Sequence, residues 1–345
     1  MLKQNTILLI LSVFLFSCAT NKMVDSDMKD KQLVNDKENP IFYTYFPGLP
    51  IGVAVNTWEY FDESNKYNKL MKQFNGFVYE NSMKMDAMQP TEGNFEFGNA
   101  KKLIKYAKDN NSVVRGHTLL WHNQYPNWFF KDIDGKDVSK DVLLKRIERH
   151  IKTIVTELKG EVKYWDVVNE VLEENGTLRN SKYLEIVGSE EYIAKAFQWA
   201  HESDPSAKLF INDYSICFSG AKQDGMYNLV KKLLAKGVPI HGVGLQSHIN
   251  MSHPNVEDMR KTIKRFASLG LEVQVTELDI SVYRSSSEKK MDITTDILLE
   301  QAERYRSLFE MFKEEAQNGN LTMVTLWGLS DDKTWLNDFP VKGRG

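Results

Sequence analysis

The chain has 345 residues, 42% of them apolar and 26% charged, a balance typical of a globular protein and unlike that of a disordered one. Its 44 basic and 47 acidic side chains leave a formal charge of −3, which excludes the basic surplus of a nucleic-acid binder. Two cysteines exclude a disulfide framework.

In chain order, residues 1–17 read as a secretory signal: Lys3 precedes an apolar run from Ile7 to Phe16, too short to span a bilayer. Cys18 follows Leu15-Phe16-Ser17, which resembles a bacterial lipobox, with Phe16 bulkier than the usual small residue. Such a signal is cut before the cysteine, and the cysteine is lipidated. Residues 18–39 are polar and charged with no apolar period, and read as a flexible tether behind lipidated Cys18. The expected location is across the inner membrane, lipid-anchored in the outer membrane on its periplasmic or cell-surface face. Cys217 remains unpaired and reads as a small buried apolar residue.

Residues 40–345 read as one domain. Eight short β-rich runs appear: IGVAV (51–55), GFVYEN (76–81), VVRGHTL (113–119), YWDVVNE (164–170), LFIND (209–213), GVGLQSH (242–248), EVQVTELD (272–279) and MVTLWGLS (323–330). Helical segments separate them. Over 139–158, Val142, Leu143, Ile147, Ile151, Ile154, Val155 and Leu158 form one apolar stripe. The helix over 189–203 ends at Asp204-Pro205, and that over 222–236 is closed by Gly237 as a C-cap. This alternation predicts an α/β fold, a (β/α)8 TIM barrel, rather than an open doubly wound sheet. No Gly-x-Gly-x-x-Gly follows the first strand, and there is no P-loop.

A barrel builds its site at the C-terminal ends of its strands. The polar residues gather there: Glu80-Asn81, His117, Asn169-Glu170, Asn212-Asp213, Gln246 to His248, and Glu277 to Asp279. One polar strand ending would be unremarkable, but six have no packing explanation. Glu170 and Glu277 end the fourth and seventh strands, which face each other across a barrel mouth, so both carboxyls can reach one bond. Two facing carboxyls are the minimum apparatus for glycoside hydrolysis: one protonates the leaving oxygen, the other attacks or activates water. A metal site is disfavoured, since His117 and His122, like His248 and His253, are five apart and do not share a helical face. A Ser-His-Asp hydrolase is disfavoured because no Gly-x-Ser-x-Gly follows a strand. Neither metal nor other cofactor is expected. Trp121, Trp327 and Trp335 fall in rim loops, where an indole face suits the apolar face of a pyranose. Trp58, Trp128, Trp165 and Trp199 read as packing residues.

Six colinear strings, ENSMKMDAMQPTEGNFEF, VRGHTLLWHNQYPNWF, WDVVNE, GVGLQSHI, VTELDI and TLWGLSDDKTW, resemble glycoside hydrolase family 10, the endo-β-1,4-xylanases. The resemblance runs from about residue 50 to the end of the chain. It implies retaining, endo-acting hydrolysis of β-1,4-xylosidic bonds, with Glu170 as acid/base and Glu277 as nucleophile about 5–5.5 Å apart. It further implies that Asn169 bonds the sugar 2-hydroxyl, that His248 bonds Glu277, and that Asp279 orients His248. Glu80, Asn81, Lys84, His117, Trp121, Gln124, Gln246, Trp327 and Trp335 match glycone-lining positions, and Asn212 and Tyr214 match the aglycone side. Xylan and xylo-oligosaccharides are the implied partners of a monomer that binds no nucleic acid.

Three departures stand out. Met85 replaces a frequent tryptophan, Lys101 a frequent acidic residue, and the chain stops at VKGRG, before the family's eighth helix. Either the sequence is truncated, the favoured reading, or the barrel is left open without its last helix; a chain that truly ended at Gly345 would expose apolar surface between its first and last strands. Two other readings remain: another retaining barrel glycosidase (an endoglucanase or mannanase), and a surface lipoprotein that binds glycans without cutting them. The set Lys84, Gln124 and Trp335 argues against a sugar bearing a C5 hydroxymethyl, and the Glu170/Glu277 pair argues against a pure binder.

Overall fold

The computed structural model describes residues 41–285 and 287–341, so the predicted signal, Cys18 and tether lie outside the described residues. The eight predicted strands are β1 (Ile51–Val55), β2 (Gly76–Tyr79), β3 (Val113–Gly116), β4 (Tyr164–Asn169), β5 (Lys208–Asp213), β6 (Gly242–Leu245), β7 (Glu272–Ser281) and β8 (Met323–Leu326). All neighbours are parallel, and β8 pairs with both β7 and β1, closing the barrel: Met323 lies beside Gln274, and Ile51 beside Val324. Parallel strands covered on both faces read as nearly continuous apolar runs, as these do. Two short rim segments, Leu120–Trp121 and His248–Asn250, extend the sheet beside β4 and β7.

The connections carry α1 (Gly98–Asp109), α2 (Lys140–Glu157), α3 (Glu191–Ser203), α4 (Ala221–Ala235), α5 (Val256–Ala267) and α6 (Thr295–Gln317). Between β1 and β2 there is only the single turn Asn68–Met71 and a 3-10 turn, Trp58–Phe61. Helix α2 starts where the Ser139 hydroxyl accepts the Val142 amide, and it buries Leu143, Ile147, Ile151, Ile154 and Val155. Val142, predicted on that stripe, is exposed: at about 100° per residue it falls with the exposed Arg149 on the outer side of the helix. Helix α4 ends as predicted, with the Gly237 amide donating to Leu234 O (2.9 Å) and the Val238 amide to Leu233 O (3.1 Å).

After β8 the described chain makes two 3-10 turns, Asp331–Lys333 and Trp335–Asn337, and no α-helix among the described residues. Among the described residues, no apolar side chain of the first or last strand is exposed. Every residue of β1 and β8 is buried. Phe42 and Phe46, just before β1, pack on Phe309 of α6 with ring centroids 5.4 and 5.2 Å apart, and join Ile51, Val53 and Val324 in one cluster. Each such aromatic stabilises the fold by roughly 1.5–3 kcal/mol through burial. Met85 is likewise buried, its sulfur accepting from the Tyr183 hydroxyl at 3.1 Å, whereas Lys101 is a surface residue paired with Glu157.

The barrel interior also contains charge. Arg115 of β3 and Asp166 of β4, each 1% exposed, pair inside it, and the Arg115 Nη1 donates to Gln274 Oε1 of β7 at 2.7 Å. Trp165 fits above Gly116, where an added β-carbon would stand 2.2 Å from the indole. Gly116→Ala should therefore destabilise the protein by about 1–3 kcal/mol through overpacking. The midpoint of urea unfolding measures this, and an unchanged midpoint would contradict the packing described.

Candidate active site

The long strand β7 delivers Glu277 to the barrel mouth, where it is 4% exposed. Burial by itself would favour a neutral carboxyl, but the rings of His117 and His248 outweigh it and hold Glu277 below the usual carboxylate range. His248 places Nε2 3.2 Å from Glu277 Oε2 and Nδ1 2.9 Å from Asp279 Oδ2. Burial opposes charge on this ring too, but the Asp279 charge and the two carboxylate hydrogen bonds override it and push the pKa up to about 10. His248 is thus an imidazolium that donates from both nitrogens. Trp335 Nε1 donates to the same Asp279 oxygen at 2.7 Å. On the other side, Asn212 Nδ2 donates to Glu277 Oε1 at 2.7 Å. Glu277 is therefore an ionised carboxylate held at both oxygens.

Glu170 follows β4 with φ at +56°, a left-handed backbone uncommon for a residue with a side chain and most often found at functional sites. Its amide donates to Asn212 O at 2.8 Å, and its carbonyl accepts from Arg179 Nε at 2.7 Å. Gln246 Nε2 lies 3.1 Å from both Glu170 Oε1 and Asn169 Oδ1, and Asn212 Nδ2 lies 2.9 Å from Asn169 Oδ1. One relay of amides, Gln246, Asn169 and Asn212, thus connects the two glutamates. His122 Nδ1 stands 3.8 Å from Glu170 Oε2 with no hydrogen-bond partner, and burial lowers its pKa. The two carboxyls meet different surroundings: charged donors at Glu277, neutral amides and an unpartnered imidazole at Glu170.

Beside them, Lys84 Nζ donates to Asn81 Oδ1 (2.9 Å) and Gln124 Oε1 (2.8 Å) and sits 4.5 Å from the Trp121 ring centroid. Burial lowers the Lys84 pKa against the pull of Glu277, Glu80 and Glu170, and burial raises that of Glu80. Trp327 meets His117 edge-on at 5.2 Å, and Trp335 meets His248 at 4.9 Å. Amides, an ammonium and indoles around two carboxyls are a surface for a hydroxylated ring.

Of the sixteen residues singled out for catalysis or substrate binding, the contacts above join Asn169, Glu170, Gln246, His248, Glu277, Asp279, His117, Trp327 and Trp335 in one group, and Asn81, Lys84, Trp121 and Gln124 in another beside it. Asn212 is the correction. It was expected on the aglycone side but is fully buried, its amide donating to Glu277 and Asn169 and its oxygen accepting from Thr276 at 2.7 Å. It holds the Glu277 carboxylate from below. Tyr214 is half-buried, its hydroxyl accepting from Arg179 at 2.9 Å. Reasoning from strand ends missed the groups beneath the site. Asp166 Oδ2 is 3.0 Å from His117 Nδ1, and Arg115 neutralises that carboxylate. Their signal was a charge in the middle of an apolar strand. Arg179 and Lys222, near Glu170, gave no such signal, whereas Asp213 had the strand-end position that marks the site. Cys217 is a buried free thiol, pushed up to about 12 by burial. Among the described residues, no group of three or more His, Cys, Asp or Glu side chains is arranged to hold a metal.

A closed parallel barrel with paired carboxyls at its mouth defines the glycosidase class of (β/α)8 proteins. The chain belongs to glycosyl hydrolase family 10, whose family model matches residues 41–344. It is 48% identical to endo-1,4-β-xylanase C of Paenibacillus barcinonensis over 85% of this chain and 28% of that protein. It is also 48% identical to exoglucanase XynX of Acetivibrio thermocellus, over 86% of this chain and 27% of that one. The chain thus spans less than a third of the length of these relatives. Among solved structures, it matches an intracellular xylanase of Thermoanaerobacterium saccharolyticum, a glutamate-to-alanine variant in complex with xylotriose. That match has 47% identity, a TM-score of 0.80, and coverage of 87% of this chain and 92% of that one.

The environment of Glu277 makes its ionisation depend on His248. His248→Asn should move the acid limb of kcat/KM for glycoside hydrolysis to higher pH. Because folding raises the ring's pKa from 6.5 to about 10, its contribution to stability is complete below pH 6.5 and lost as the pH rises through 10. The gap in unfolding free energy between wild type and variant should therefore be wider below pH 6.5 than above pH 10. Equal gaps in urea titrations at the two extremes would contradict this.

Proposed function

We propose that the protein is an endo-1,4-β-xylanase that cuts internal β-1,4-xylosidic bonds of xylan with retention of configuration. The observation that carries this reading is the asymmetry of the carboxyl pair, with Glu277 held ionised by His248 and Asn212 and Glu170 set among amides at the opposite strand end. In the first step Glu277 attacks the anomeric carbon while Glu170 gives its proton to the leaving oxygen, forming a glycosyl-enzyme. In the second, Glu170 takes a proton from water, which attacks the same carbon and releases Glu277. The names of the xylanase relatives and the xylotriose bound to the T. saccharolyticum enzyme support xylan and xylo-oligosaccharides as substrates.

A second reading, cleavage of β-1,4-glucans, is favoured by the relative named an exoglucanase. Matched aryl β-xylobioside and β-cellobioside separate the two, and the xylan reading expects the larger kcat/KM on the xylobioside. For the chain's N-terminal part we propose export and lipidation at Cys18, acting as a monomer. Support comes from the apolar run 7–16 and the Leu-Phe-Ser-Cys sequence. Labelling with a radioactive fatty acid that is lost in Cys18→Ala tests it.

Glu170→Ala and Glu277→Ala should each lower release of reducing sugar from xylan by at least about 10³-fold. NMR of the first turnovers by the wild type should show the β-anomer. Full activity of either variant, or an initial α-anomer, would overturn the mechanism.

A further inference from the structure

Lys222 is a buried lysine in the first turn of α4, a placement doubly unfavourable by local physics: its ammonium is 2% exposed at the positive end of a helix. The close approach that seats it is built from glycine. A β-carbon on Gly225 of α4 would lie 2.2 Å from Gly176 O, and one on Gly176 would lie 2.2 Å from Ala221 O. The helix start is thereby pressed onto the loop that follows Glu170. There Lys222 Nζ lies 3.0 Å from Asp213 Oδ1, 3.2 Å from Glu174 Oε1 and 3.1 Å from the centroid of the Tyr214 ring.

These partners lead back to the acid/base residue. Asp213 accepts the amides of Leu172 (3.2 Å) and Tyr214 (2.9 Å), tying the loop after β4 to that after β5. The Tyr214 hydroxyl accepts from Arg179 Nη2 at 2.9 Å, while Nε of the same guanidinium holds the Glu170 carbonyl at 2.7 Å. One ammonium therefore sits under a ring and a carboxylate that together fix the strained backbone at Glu170. We infer that Lys222 is a positioning residue for the leaving-group half of the cleft, setting the acid/base carboxyl and the Tyr214 ring as one unit. It does not touch the bond that breaks. This inference rests on the glycosidase reading above and adds a residue to it.

The test exploits the two jobs of that half of the cleft, which are to bind the departing sugar and to protonate it. Xylotetraose needs both; dinitrophenyl β-xylobioside, with a good leaving group and no departing sugar, needs neither in the step that governs kcat/KM. Lys222→Met should lower kcat/KM on xylotetraose about 10- to 100-fold, the scale of a small misplacement at a reacting group, and leave the aryl xylobioside value unchanged. If the single variant does not fold because Asp213 is left unpaired, Lys222→Met/Asp213→Asn removes both charges, and the same contrast between substrates is expected of it. Equal loss on the two substrates, or loss on neither, would overturn the inference. A wild type that cleaves neither substrate would overturn the glycosidase reading itself.

Discussion

A carboxylate buried as deeply as Glu277 stays ionised only if positive charge and hydrogen-bond donors replace the water it has lost. That requirement organises much of the barrel mouth. His248 and Asn212 hold one oxygen each, and each is in turn held: His248 by Asp279, and Asn212 by Thr276. Asp279 is fixed by Trp335, so the electrostatics of Glu277 reach the rim of the barrel mouth. His117, the other ring near Glu277, is oriented by Asp166, whose charge Arg115 balances from the barrel's interior. A chain of hydrogen-bonded polar and charged groups thus runs from the centre of the barrel to its surface, and each member would be costly to bury without the next.

Glu170 meets a different demand. In the proposed mechanism it must both give and take a proton, so a permanent cation hard against it would defeat that purpose. Its carboxyl contacts are Gln246, Asn169 and the unbonded Nδ1 of His122, and the firmly charged groups, Arg179 and Lys222, act on its backbone and on Tyr214 instead. The left-handed φ of Glu170 belongs to the same design. The turn out of β4 aims the side chain across the mouth, and surrounding hydrogen bonds hold a conformation the chain would not choose locally.

The amino-acid sequence determined more of this molecule than is common. Parallel strands covered on both faces must be apolar along their length, so eight apolar runs could be read directly, and the polar residues at their ends marked the barrel mouth and its supports. For that reason Glu80, Glu170, Gln246, His248 and Glu277 were legible without coordinates. Helix periodicity located the helices but not every member of their buried faces, as Val142 illustrates: a first-turn residue can fit the pattern and still point outward.

Tertiary structure decided which strand-end residues face substrate and which face each other. Asn212 is indistinguishable in sequence from a cleft-lining amide, yet barrel closure turns it under Glu277, because the side chain that faces inward at that register meets β7 before it meets solvent. The seal between β1 and β8 came from Phe42, Phe46 and Phe309, which are distant in sequence and carry no motif. Lys222 was equally hidden: in the sequence it is one lysine among many in an amphipathic helix. Only the glycine contact between α4 and the loop after β4 buries its ammonium and joins it to the surroundings of Glu170. Sequence specifies which groups are available and on which strand end. Their pairing is a matter of distance, and distance exists only once the barrel has closed.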